Sequence, residues 1–263
     1  MTGRYAELLM YTAPQEISEA NERWLAGILE RLQVSRSRPA SLELMPLFLS
    51  PQLLLTQTCG YPLMTALRGR VRVIGRPCYT LPDSADGSHC SLLLARNDQP
   101  RQGLSDFHGS RGVINNEDSN TGMNLLRHTV APLQRQGRFF SALSLSGSHR
   151  ESLRWLREGL ADLAAVDSVT YAYLARHASA EVAGLRVVTR SAWSPCLPYI
   201  GAASLDAGQA ETIRRAMNLA LQALPHVAAT LGLREVLPAT EDNYRIVLDY
   251  QRQAQEAGLP SLR

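Results

Sequence analysis

Apolar and polar residues follow two rhythms along this chain. Short unbroken apolar runs recur, each closed by a polar, turn-forming cluster, and read as buried strands. They fall at residues 6–11, 53–55, 71–74, 91–95, 112–115, 139–145, 162–166 and 185–189. Between them apolar residues recur at helical spacing. Residues 16–32 put Ile17, Ala20, Trp24, Ile28 and Leu32 on one face, and Pro62 suits the first position of a helix. Further helices are expected with Met123, Leu126 and Val130 on one side, then with Leu153, Leu156 and Leu160, then over 168–177, 207–223 and about 241–257, with breaks at Pro225 and Pro238. Strand alternating with helix predicts a doubly wound α/β fold. Ligands of such sheets sit outside the carboxyl ends of the strands. Polar clusters fall at those ends, after Leu55, Asn115, Leu145 and Val166.

The clusters bring candidate chemistry into the picture. Asp118-Ser119-Asn120-Thr121-Gly122 sits where a helix is expected to begin. Free backbone N–H groups and the helix dipole favour an anion there, and hydroxyls add donors. The competing reading is that Ser119 or Thr121 merely caps the helix. Ser146-Gly147-Ser148-His149 repeats the arrangement at the next junction, and His149 is a donor to an anionic oxygen. Gln57, Thr58 and Tyr61 offer amide, hydroxyl and phenol groups after a buried strand, and Tyr11 ends the first strand. Asp167 follows a strand end, as an acceptor for a proton-bearing ligand oxygen or as another cap. His89, His108, His128, His177 and His226 lack such settings and read as structural or solvent-facing. Ser148 and His149 are adjacent, so their side chains diverge, and no G-x-S-x-G elbow exists. No catalytic residue and no enzyme is expected.

Composition narrows the classes. The 263 residues suffice for two lobes with cores of their own. A net charge of +3, with scattered arginines, gives no nucleic-acid surface. All 27 basic residues are arginine, which excludes P-loop, protein-kinase and pyridoxal chemistry, since each needs a lysine. Cys59, Cys78, Cys90 and Cys196 form no CxxC and no zinc spacing, so neither metal nor cofactor is expected; Cys78 and Cys90 are near enough to bridge in an oxidising compartment. No apolar run reaches the length of a membrane span. The opening residues show no signal-peptide core, which points inside the cell unless an export signal has been removed.

With these segments in place, the chain resembles the phosphate and phosphonate binding proteins of ABC importers, the PhnD-like branch of the type II periplasmic-binding-protein fold. The resemblance rests on residues 9–11, the string Leu54-Leu55-Thr56-Gln57-Thr58-Cys59-Gly60-Tyr61-Pro62, the segment 114–122, and the strings 146–153 and 159–169. It implies two lobes, each a mainly parallel sheet flanked by helices, joined by two crossover segments and closing on a ligand by a hinge. Residues 1–91 with 189–263 would form one lobe and 92–188 the other. It implies capture of a small oxyanion in the interlobe cleft for an ABC permease, and a periplasmic location. Ligand oxygens would be held by Ser91, Ser119, Asn120, Thr121, Ser148, His149 and Asp167, faced by Tyr11, Gln57, Thr58 and Tyr61. A cytoplasmic sensor, or an enzyme on a small organic acid, are the alternatives on the same fold. The chain departs from the family at Ser84-Ala85-Asp86-Gly87, at His89-Cys90-Ser91 where relatives carry Tyr-Arg-Ser, and at Pro195-Cys196-Leu197-Pro198.

Overall fold

A computed structural model of the protein describes residues 3–262. The chain divides into two compact units, Met1–Ser88 with Pro195–Tyr244, and His89–Ser194 with Arg245–Arg263. It therefore passes between them after Ser88, after Ser194 and again after Tyr244.

The first unit holds a six-stranded sheet in the order Leu233–Leu237, Val71–Tyr79, Tyr199–Ala202, Leu53–Gln57, Arg4–Glu7, Arg36–Ser37. Every residue of Leu53–Gln57 is buried, as an unbroken apolar run requires of an inner strand. Arg4–Glu7 runs parallel to its two neighbours, while Tyr199–Ala202 and Leu233–Leu237 run antiparallel to theirs. Helix Gln15–Leu32 buries Ile17, Ala20, Trp24 and Ile28, the face read from spacing, and Leu32 at its end is only half-buried. The Trp24 indole donates to the carbonyl of Met217 at 3.0 Å, tying this helix to Ala207–Ala223.

Several strands and two helices of this unit escape the sequence pattern. Tyr199–Ala202 is short and contains Gly201, where a Cβ would lie 2.8 Å from the carbonyl of Leu54. Glycine weakens the strand signal where close sheet packing demands it. The expected break at Pro225 separates helix Ala207–Ala223 from a further helix, Pro225–Leu231, which the proline opens, as proline at the first position can. Gly232, left-handed at φ 55°, ends that helix and releases strand Leu233–Leu237. Leu44–Phe48 is a single short helix.

The second unit holds a five-stranded sheet in the order Leu185–Arg190, Ser91–Arg96, Leu163–Asp167, Arg111–Ile114, Ala142–Leu145. The last three are mutually parallel, and Ser91–Arg96 runs against both of its neighbours. Both sheets are thus mixed, where a mainly parallel arrangement was expected. The run at 139–145 contributes only Ala142–Leu145 to the sheet; Phe139 and Phe140 are buried outside it, and the Phe140 ring covers Gly112, where a Cβ would meet it at 2.8 Å. Helix His149–Arg157 buries Leu153 and Leu156 but stops short of Leu160, which is 50% exposed. Gly159, at φ 71°, turns the chain there.

Helix Arg245–Glu256 packs in the second unit, although the sequence reading placed 189–263 in the first lobe. Its Val247 and Ala254 are buried, and the Asn124 amide donates to the carbonyl of Val247 at 2.9 Å. Amphipathic periodicity shows that a helix has a buried face, not which core receives it. All four cysteines are free thiols. Among the described residues no helix is long and apolar enough to cross a membrane.

Candidate functional site

The three parallel strands of the second unit end at one edge of its sheet, and their following loops carry the polar clusters read from sequence. After Arg111–Ile114 the chain reaches Ser119, whose hydroxyl oxygen accepts the N–H of Gly122 at 2.9 Å. A π-helical turn, Asn120–Asn124, follows and continues into helix Leu125–Val130. Such turns recur at functional positions because they widen the backbone locally. The Ser91 hydroxyl donates to the carbonyl of Thr121 at 2.8 Å, and Ser91 stands opposite Asp167 in the antiparallel register.

After Ala142–Leu145 the chain turns through Gly147 into helix His149–Arg157. The N–H groups of Ser146 and Gly147 donate to the carbonyls of Ile114 and Asn115, at 2.9 and 3.0 Å, and hold the two loops side by side. His149 Nε2 lies 3.0 Å from Thr121 Oγ1. Gly122 permits this approach. A Cβ there would lie 1.7 Å from Asn115 Oδ1 and 3.1 Å from His149 Cε1.

Asp167 closes strand Leu163–Asp167 and starts helix Ser168–His177. One carboxylate oxygen accepts the N–H groups of Val169 and Thr170 at 2.9 and 3.0 Å. The other lies 3.2 Å from His89 Nδ1. Burial pushes the pKa of Asp167 up, but His89, His149 and the Thr170 N–H outweigh it and hold the carboxyl below its ordinary value. Burial also pushes the His149 imidazole below its ordinary value; the charge of Asp167 opposes this, and His89 adds to it. At neutral pH the cluster therefore pairs a carboxylate with an uncharged His149 imidazole.

The structure thus brings Ser91, Ser119, Thr121, His149 and Asp167 into one cluster. It treats two other expected contacts differently. The Asn120 amide donates to Ser194 Oγ at 2.9 Å, and its oxygen accepts from Asn124 at 3.1 Å, so this side chain braces the turn. Ser148 is exposed and caps its helix by accepting the Glu151 N–H at 3.1 Å.

The remaining four candidates belong to the first unit. Tyr11 is buried with its ring edge-on to Tyr79, at 6.3 Å between centroids. The Gln57 amide donates to the carbonyl of Leu197 at 3.0 Å. Thr58 Oγ1 is buried with no hydrogen-bond partner, and Tyr61 is half-buried in helix Gly60–Met64. A surface hollow of this unit, lined by Arg72, Thr240, Glu241 and Asp242 among others, contains none of the residues singled out from sequence.

Sequence reasoning passed over His89. It is 0% exposed, so of the two readings left open, structural or solvent-facing, the solvent-facing one falls away. The available signal was spacing: His89 and Ser91 are two apart in an extended run, and alternate residues share a face. Among the described residues no His, Cys, Asp and Glu group is arranged to hold a metal ion.

Residues 52–244 match the family described as the periplasmic substrate-binding protein of phosphonate ABC transporters. No curated protein matches the chain in sequence. Several solved structures share its fold. A binding-protein component of an ABC phosphonate transporter from Pseudomonas aeruginosa is 15% identical, with a TM-score of 0.78 over 97% of this chain and 87% of that one. PhnD1 from Prochlorococcus marinus, solved with methylphosphonate, is 11% identical, with a TM-score of 0.77 over 96% and 98%. XAC2383 from Xanthomonas citri, solved with ATP, is 15% identical, with a TM-score of 0.69 over 98% of each chain.

Proposed function

The chain belongs to the family of periplasmic substrate-binding proteins of phosphonate ABC transporters, and from that premise we propose that its second unit captures a phosphonate or phosphate on Ser91, Ser119, Thr121, His149 and Asp167. The observation that carries this reading is the meeting of two strand-to-helix loops, with Thr121 Oγ1 and His149 Nε2 3.0 Å apart beside a buried carboxylate. Hydroxyl and imidazole groups are the donors a small oxyanion needs, and the Ser119 hydroxyl keeps its proton while accepting from Gly122. Tyr11, Gln57, Thr58 and Tyr61 are the first unit's candidates. Family membership implies that an ABC permease receives the ligand.

The same residues support binding without chemistry. A threonine beside a histidine suggests a nucleophile and its base, but activation also needs an orienting third group. The carboxylate that would orient His149 is instead 3.2 Å from His89, and its other oxygen caps a helix. Calorimetry with methylphosphonate, inorganic phosphate and 2-aminoethylphosphonate tests the reading. Thr121→Ala and His149→Ala are each expected to weaken the best of these ligands by about tenfold or more, as for loss of a hydrogen bond to a charged group. Unchanged affinity in both variants would remove the proposed site.

A further inference from the structure

Arg127 has no part in that reading, and its burial needs a reason. Of the arginines among the described residues it alone is buried, at 5% exposure. Its guanidinium donates to the carbonyl of Pro260 and to Asn124 Oδ1, each at 2.9 Å, and its Nε is buried with no hydrogen-bond partner. Both acceptors are neutral, and among the described residues no carboxylate pairs with it. A buried charge is costly unless an opposite charge accompanies it. The oxyanion site of the same unit has the reverse imbalance. Asp167 is a carboxylate and His149 is uncharged, so an arriving anion meets net negative charge. Helix starts supply only partial positive charge. Arg150, next to His149, is held by Glu181 at 2.5 and 2.6 Å.

A line of hydrogen bonds joins the two. The Asn124 amide that accepts from Arg127 donates to Asn120 Oδ1 at 3.1 Å, and the Asn120 amide donates to Ser194 Oγ at 2.9 Å. Every link runs from donor to acceptor away from the guanidinium, so each polarises the next. Asn120 precedes Thr121, whose hydroxyl meets His149. Thr121 and Arg127 are six residues apart, roughly 9 Å along a helix. Helical side chains lean back toward the N-terminus, as the bond to Asn124 requires.

We propose that Arg127 is a positioning residue that supplies the missing positive charge: acting through Asn124 and Asn120, it fixes the Thr121 turn and makes the site favour doubly ionised over singly ionised oxyanions. The inference rests on the function proposed above. At roughly 10 Å and an effective dielectric constant of about 20, a unit charge changes affinity roughly tenfold for each charge on the ligand. Two strands, Ser91–Arg96 and Leu163–Asp167, and helix Arg245–Glu256 pack on helix Leu125–Val130. Their charged groups are Asp167, Arg96 beside Asp98, and on the helix Arg245 and an Arg252 held by Asp249 and Glu256. None of these pairs with Arg127.

The test titrates methylphosphonate calorimetrically into wild type, Arg127→Gln and Arg127→Lys, at one pH below and one above the second ionisation of the ligand, both above the carboxyl range. Glutamine keeps an amide donor without charge, and lysine keeps the charge. Asp167 and His149 are the same in all three proteins and cancel in the ratio of affinities. The advantage of wild type over Arg127→Gln should grow roughly tenfold as the ligand gains its second charge. Arg127→Lys should stay close to wild type at both pH values. An advantage that is the same at both, or a loss in Arg127→Lys as large as in Arg127→Gln, would give Arg127 a structural role only and overturn the inference while leaving the oxyanion site intact. Wild type that binds none of the oxyanions would overturn both. Should Arg127→Gln not fold, wild type decides: its affinity must rise as the ligand gains its second charge, and a constant or falling affinity sinks the idea.

Discussion

Asp167 concentrates the electrostatics of the second unit in one side chain. It caps a helix through two N–H groups, faces His89 and acts on His149, all at 2% exposure. Its folded pKa lies below the ordinary value, so the stability it contributes is full above the unfolded carboxyl value and is lost as pH falls through the folded one. His149 acts in the same direction. With its folded value lowered, the unfolded chain takes up the proton first on acidification, and stability falls. Asp167→Asn should therefore destabilise the protein by roughly 1–3 kcal/mol at neutral pH, as for a hydrogen-bonded buried charge. In urea unfolding the gap to wild type should close as pH drops below about 4, the range of an ordinary carboxyl. A gap that is independent of pH would show that Asp167 is not ionised in the folded protein. That Thr121, His149 and Asp167 stand together was legible in sequence, because each follows a strand end on one edge of an α/β sheet. The alternate spacing of His89 and Ser91 put the two on one face, but it could not show that the partner of His89 is a buried carboxylate.

The elements that sequence marked clearly are those whose local and tertiary demands agree. Helix Ala207–Ala223 has an apolar stripe and a reciprocal cap, in which Asp206 accepts the Gln209 N–H at 2.7 Å while the Gln209 side chain accepts the Asp206 N–H at 2.9 Å. Asp206→Ala should lower the melting temperature of the ligand-free protein and cost about 1 kcal/mol, as typical helix caps do. No change would mean that packing against helix Gln15–Leu32 alone holds the helix start. Elements governed by long-range packing were less visible. Strand Tyr199–Ala202 is specified by the space around Gly201, and the end of helix His149–Arg157 by the turn at Gly159. The wide turn at Asn120–Asn124 has a similar origin. Asn120 bonds to Ser194, and Asn124 to Val247, far along the chain in each case, so no local spacing announces that the helix opens with a π turn.

At the scale of the molecule, the α/β plan and the family were both readable, because two strings of strand-end residues recur in the right order. The assignment of the C-terminal helix was not, since it depends on which core accepts Val247 and Ala254. The central claim concerns what this architecture holds. A ligand that binds only the folded state stabilises it in proportion to the logarithm of its concentration over its dissociation constant. The most direct test is calorimetric titration of the wild-type protein with methylphosphonate, supported by its melting curve. The account predicts saturable binding with a single site per chain, and a melting temperature that rises with ligand concentration. Absence of both, with methylphosphonate and with inorganic phosphate and 2-aminoethylphosphonate in its place, would contradict it.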